Sequence, residues 1–198
     1  MKKMIFMLLA IVAITSVQAQ ELTQRMFNIY NGNAKTLVEG YQGMEQKMTV
    51  QFDRQGRVLS KSDGVTKYVY NWSSDGKSID VKGYFNGQYQ GAQPIYISEM
   101  SSSKYIYEIA GVTYTVLFKS NGAINKMTAS AGGQCMTTTY YYNDPNSQFP
   151  YKIVTSQDGQ SMSTSISVIS KDSKGNCTKN SQTVNGQSAI NESAITYY

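Results

Sequence analysis

The chain has 198 residues, with 18 Lys and Arg against 13 Asp and Glu, no His and two Cys, for a formal charge of +5. Without imidazole, His-based triads, His general bases and His metal ligands are excluded, and two distant thiols make neither a zinc site nor a CxxC redox pair. Only 16% of residues are charged and the lysines are scattered singly, so no nucleic-acid or anionic-lipid surface is marked.

Lys2 and Lys3 precede an apolar run from Met4 to Ile14, and Val17-Gln18-Ala19 follows. This reads as a secretory signal peptide over residues 1–19, cut before Gln20. The run is too short to span a bilayer, and small residues suit the peptidase. An amino-terminal anchor is the competing reading; no Cys follows the run, which argues against a lipoprotein. Cleavage removes two lysines and no acid, so +5 becomes +3 on an exported chain, periplasmic or extracellular and not integral to a membrane.

Over residues 20–30, Leu22, Met26 and Ile29 recur at helical spacing and predict one short helix. A weakly helical or irregular piece follows over 34–41, which makes 20–47 a partly helical amino-terminal segment. After Lys47 the period drops to two, with Met48, Val50 and Phe52 alternating with Thr49, Gln51 and Asp53. Between Tyr68 and Tyr84 the pattern is that of a β-hairpin. Tyr68, Tyr70 and Trp72 share one face, and Asp75-Gly76 is read as a type I′ turn. Turn signals then recur at Asn86-Gly87, Gly91, Ser101–Ser103, Gly111, Asn121-Gly122, Gly132-Gly133, Asp144-Pro145-Asn146, Asp158-Gly159, Gly175 and Asn185-Gly186, mostly about 10 to 13 residues apart. That spacing leaves no room for crossover helices. Strands are predicted over 95–100, 104–110, 112–118, 123–129, 136–142, 151–156, 163–169, 177–184 and 189–198. The fold class is all-β: a single antiparallel meander of about 10–13 strands, curled by accumulated twist into a roll or partly closed barrel. A two-sheet sandwich is the alternative.

Aligned turns expose a degenerate motif: aromatic, polar or acidic residue, two variable residues, Gly, one variable residue, apolar residue. Phe52-Asp53-Arg54-Gln55-Gly56-Arg57-Val58 fits throughout, and Phe118-Lys119-Ser120-Asn121-Gly122-Ala123-Ile124 lacks only the acid. Tyr70-Asn71 reaches Gly76 by a longer loop, and the frame from Lys171 to Cys177 lacks the aromatic. The motif resembles the tyrosine-aspartate repeat of Rhs-type proteins, and more closely small secreted proteins of Bacteroides-type bacteria in families of unknown function. The resemblance implies an antiparallel hairpin array over residues 48–198 and supplies no catalytic residue.

Catalysis would fall to a carboxylate pair of the glycosidase kind. Yet Asp53, Asp63, Asp75, Asp144, Asp158 and Asp172 all sit in predicted turns, where they cap backbone N–H groups. Glu99 lies on or beside a strand, and Glu108 is set opposite Tyr105 and Tyr107, toward solvent. The loops at Asp144–Asn146 and Asp172–Asn176 offer oxygen atoms for calcium but match no recognised spacing, and no cofactor is expected. Cys135 and Cys177 each follow a glycine turn and are placed to start neighbouring strands. A bridge between them stabilises by roughly 3–4 kcal/mol in the chain-entropy model; two free thiols are the alternative.

Sixteen tyrosines are the strongest functional lead. Tyr68, Tyr70, Trp72 and Tyr141 are candidate ligand-stacking residues, Tyr141 pointing away from Tyr140 and Tyr142; core packing is the competing role for all of them. Four functions follow. A non-catalytic envelope protein acting through protein contacts predicts no deep polar pocket and an exposed apolar patch or sheet edge. A glycan-binding module predicts a groove of exposed rings beside amides. An outer-membrane barrel requires an outward apolar band, and a carboxylate hydrolase requires two acids facing across a cleft.

Overall fold

The computed structural model describes residues 21–198; the expected signal peptide and its cut before Gln20 lie outside the described residues. Fourteen strands follow in chain order: β1 (Ala34–Tyr41), β2 (Met48–Phe52), β3 (Val58–Ser62), β4 (Thr66–Trp72), β5 (Ser78–Phe85), β6 (Gln88–Met100), β7 (Lys104–Ile109), β8 (Val112–Phe118), β9 (Ile124–Ala131), β10 (Gln134–Tyr141), β11 (Lys152–Gln157), β12 (Gln160–Lys171), β13 (Cys177–Val184) and β14 (Gln187–Tyr197). Each pairs antiparallel with the next, and β14 pairs with β1, so the meander closes into a barrel and no sandwich forms.

The amino-terminal segment is not as expected. Ala34–Tyr41 is a full strand rather than a helical or irregular piece. Its alternation is concealed because a shift between Ala34 and Thr36 breaks the register and because its inward set, Leu37, Glu39 and Tyr41, contains a charge. The predicted helix contracts to a single 3-10 turn over Gln24–Phe27. Its flanks are used by the barrel wall instead: Val58 N donates to Leu22 O at 2.9 Å and Gln24 N to Gly56 O at 2.8 Å. Leu22, Met26 and Ile29 do share a buried stripe, packed on the barrel's inner wall.

The two barrel ends differ in most of their turns, five of the seven at the first end being tight hairpins. At one end Asn86-Gly87, Ala110-Gly111, Gly132-Gly133, Asp158-Gly159 and Asn185-Gly186 all have positive φ at both residues, as type I′ hairpins require. At the other end the turns are longer and an acid or amide caps them. Asp53 Oδ1 accepts from Arg57 N at 2.9 Å, and Asp172 Oδ1 from Asn176 N at 2.9 Å. Asp75-Gly76 belongs to this second kind and is not type I′. Of the two only Gly76 has positive φ, Gly76 N reaches Ser73 O, and Asp75 Oδ1 accepts from Lys77 N.

Residues 21–33 plug this second end. Arg25 donates to Ser102 O and Gly122 O and lies over the Phe118 ring at 4.0 Å. Beyond the plug the lumen is filled unevenly. Phe52, Val58, Tyr70, Ile79, Ile95, Tyr107, Ile109 and Val116, from β2 to β8, are almost wholly buried, whereas the strands from β10 to β14 hold no fully buried side chain apart from the adjoining Asn176 turn. Each buried aliphatic side chain contributes roughly 1.5–3 kcal/mol, so the fold is secured by one half of its own lumen.

Candidate functional site

The unfilled half of the lumen is a cavity of ≈ 580 Å³ lined from β1, β2, β11 to β14 and the plug. On β1, Leu37, Glu39 and Tyr41 step from the plugged end toward the β1–β2 loop, where Met44, Gln46 and Lys47 form the rim. Neighbouring β14 adds Asn191, Ser193 and Ile195, and β13 adds Asn180 and Gln182. Tyr41 Oη donates to Gln182 Oε1 at 3.3 Å, tying two of these strands across the surface of the cavity.

Glu21 and Glu39 line this space, and Lys61 lies beside Glu21. Lys61, 4% exposed, pairs with Glu21 at 2.7 Å. Glu39 faces the same space. Burial, then the nearby Glu21 carboxylate, raise its pKa from the usual carboxylate range to about 7, against the opposing pull of Lys61. Burial and the same Glu21 carboxylate push Tyr140 up to about 12 and hold Tyr70 and Tyr107 well above the usual phenol range. Glu21 therefore sits centrally, between the packed aromatic half and the open half.

The residues singled out from the sequence are dispersed. Tyr68, Tyr70 and Trp72 do share a face, but that face is the barrel interior, with Tyr70 2% exposed and the other two packed against the core. Trp72 Nε1 donates to Val58 O at 2.9 Å, and Arg57 lies over its ring. Tyr141 is exposed on the outer wall, with Tyr140 and Tyr142 turned inward as alternation requires. None of the four lines the cavity. Cys135 and Cys177 are both free, the second of the two states left open by the sequence: β10 and β13 are separated by two strands, and the cysteines start from opposite barrel ends. Glu108 is exposed, and Glu99 pairs with Lys104 at 2.7 Å. Asp53, Asp63, Asp75, Asp144 and Asp172 cap turns, as their short side chains suggested. Among the described residues no cluster of three Cys, Asp or Glu is arranged to hold a metal ion.

The luminal residues Glu21, Glu39 and Lys61 were not found from the sequence. The available signal was an acid at an inward position of an alternating strand, and it becomes visible only once 34–41 is recognised as a strand.

No protein-family model matches the chain, and no curated protein is similar to it in sequence. Among solved structures it is similar to a porin-like protein from Bacteroides vulgatus, at 10% identity and a TM-score of 0.47 over 83% of this chain and 98% of that one. A porin-like protein from Bacteroides uniformis matches at 9% identity and a TM-score of 0.32, over 84% of this chain and 99% of that one.

Proposed function

We propose that this is an exported, non-catalytic binding barrel of the cell envelope that holds a small ligand in its lumen. The observation that carries the reading is the ≈ 580 Å³ cavity, a size typical of small-molecule sites, whose wall is divided about evenly between apolar side chains and polar or charged ones. Closure of the sheet argues against docking through a free strand edge, and the interior placement of Tyr68, Tyr70 and Trp72 argues against sugar stacking on that hairpin. The outer wall argues against a lipid-facing barrel. Lys67, Asn71, Asp80, Glu108, Thr113, Lys126, Ser163 and Ser165 are outward and exposed along it, where a bilayer requires an apolar band.

Titration of the mature protein with an environment-sensitive dye such as Nile red, beside an Ile166→Trp variant that fills the cavity, tests the reading. Saturable one-to-one binding that the variant loses while keeping its melting temperature is expected. Absence of binding, or binding unaffected by the variant, would sink it.

A carboxylate hydrolase is the second reading, favoured by one observation: Glu39, poised near neutrality, shares the lumen with an ion-paired Glu21. Release of nitrophenol from nitrophenyl glycosides, lost in Glu39→Gln, would favour it over simple binding.

A further inference from the structure

The cavity wall has two characters. Ile153 on β11 and Ile166 and Val168 on β12 make one side aliphatic, while Asn180, Gln182 and Asn191 make the other an amide surface. Glu39 lies between Leu37 and Tyr41 along β1, on the wall that closes this space. Its carboxylate takes no hydrogen bond and no ion pair from any described residue, although the residue is partly buried. The other charges facing it are committed elsewhere. Glu21 is held by Lys61 at 2.7 Å, and Asp63 Oδ1 accepts from Val65 N and Thr66 N at the rim. Lys47, on the β1–β2 loop, and Asp63 line the mouth with opposite charges. These four charges sum to zero, so the net charge left facing the cavity is that of Glu39.

A buried carboxylate without a partner is costly, and the cost disappears if a cation enters beside it. We propose that the cavity binds a small amphiphile whose ammonium head pairs with Glu39 and whose aliphatic body lies along Ile153, Ile166 and Val168. The proposal rests on the luminal reading above and adds the ligand's chemical class. A neutral head of equal size can accept or donate hydrogen bonds to the amides but leaves Glu39 uncompensated, and an anionic head is repelled. Because the ammonium recognises the ionised carboxylate, binding strengthens as pH rises through the range where Glu39 loses its proton.

The test is calorimetric titration of the mature protein with decylamine and with 1-decanol, at pH 5 and pH 8, beside Glu39→Gln. Decylamine is expected to bind at least tenfold more tightly than 1-decanol at pH 8, with the preference collapsing at pH 5 and in the variant. Affinity for 1-decanol, which the carboxylate does not supply, reports whether the variant's lumen is intact. Equal affinity for the two probes at pH 8, or an amine preference that Glu39→Gln retains, would overturn the proposal and leave the luminal reading standing. Failure of both probes to bind would remove the luminal reading itself.

Discussion

Asn176 and Asn31, 145 residues apart, are joined as if by a strand ladder: Asn31 N donates to Asn176 Oδ1 at 3.0 Å, and Asn176 Nδ2 donates to Asn31 O at 2.7 Å. The same side chain accepts from Tyr30 N and donates to Tyr197 Oη, and Tyr197 in turn donates to Asp172. Fully buried, the Asn176 amide thereby satisfies every donor and acceptor it presents and ties the plug to both the β12–β13 turn and the last strand.

Asn176→Ala is therefore expected to destabilise by about 3 kcal/mol, because two backbone N–H groups lose their acceptor at a buried site. That corresponds to a fall in Tm of roughly 6–12 °C for a domain of this size. Gln148→Ala, which removes an acceptor for Asn31 Nδ2 at 3.2 Å and a long bond to Asn121 O at 3.4 Å at the plugged end, should cost about 1 kcal/mol. Urea unfolding of the two variants checks the ranking; equal effects would mean that Asn176 does not hold the plug.

Glu39 predicts a pH dependence of opposite sign to that of most carboxylates. Its pKa of about 7 in the fold lies above its unfolded value, so between about pH 4.5 and 7 the native state holds a proton that the unfolded chain has released. Its contribution is fully present below that window and is lost as pH rises through it, on the order of 3 kcal/mol. Glu39→Gln should thus match the wild type near pH 4 and exceed it in stability at pH 8. Asp172 works the other way. Burial raises it, but the hydrogen bonds from Tyr197, Asn176 and Lys174 prevail and lower it, so its contribution is lost in acid. The difference between Glu39→Gln and wild type, measured by denaturant unfolding at several pH values, isolates Glu39; a flat difference would contradict the burial argument.

Much of the wall was legible. Val112–Phe118 and Cys177–Val184 have the predicted bounds, since Val112, Tyr114, Val116 and Phe118 alternate cleanly and glycine turns bracket both strands. The site was not legible, for a physical reason. A fully packed lumen writes an apolar alternation into its strands, whereas a lumen left open for a ligand does not. Glu39, Thr164, Asn180, Gln182, Asn191 and Ser193 face inward but read as surface residues. The type I′ reading of Asp75-Gly76 failed similarly, because Ser73 Oγ and Asp75 Oδ1 stabilise a longer capped turn that the dipeptide alone does not announce. The sharing of one face by Tyr68, Tyr70 and Trp72 was legible; which side of the wall it occupied was not.

The cysteines should behave as two unlike free thiols. Cys135 is exposed on the outer wall, while burial raises the Cys177 pKa and slows its reaction. A maleimide added to the folded, unreduced protein is expected to label Cys135 within minutes and Cys177 only after denaturation. Dithiothreitol should leave Tm unchanged. Mass spectrometry showing two hydrogen atoms fewer than the dithiol, with Tm falling on reduction, would instead establish a bridge.

Trp72, the single tryptophan, separates a structural ring from a ligand-stacking one. Its indole N–H is committed to Val58 O, its ring carries the Arg57 guanidinium at 5.1 Å, and it packs against the core on the side of the lumen away from the cavity. Trp72→Ala is expected to cost about 3–5 kcal/mol through lost packing, and Trp72→Phe about 1 kcal/mol through the lost hydrogen bond. Neither loss involves a ligand. In the stable Phe variant, affinity for a luminal probe should stay within about twofold of wild type, while Ile166→Trp abolishes it. Equilibrium titration of both variants at matched fractions folded gives the answer. Abolished binding in Trp72→Phe, with Ile166→Trp unaffected, would move the site from the open half of the lumen to the aromatic hairpin.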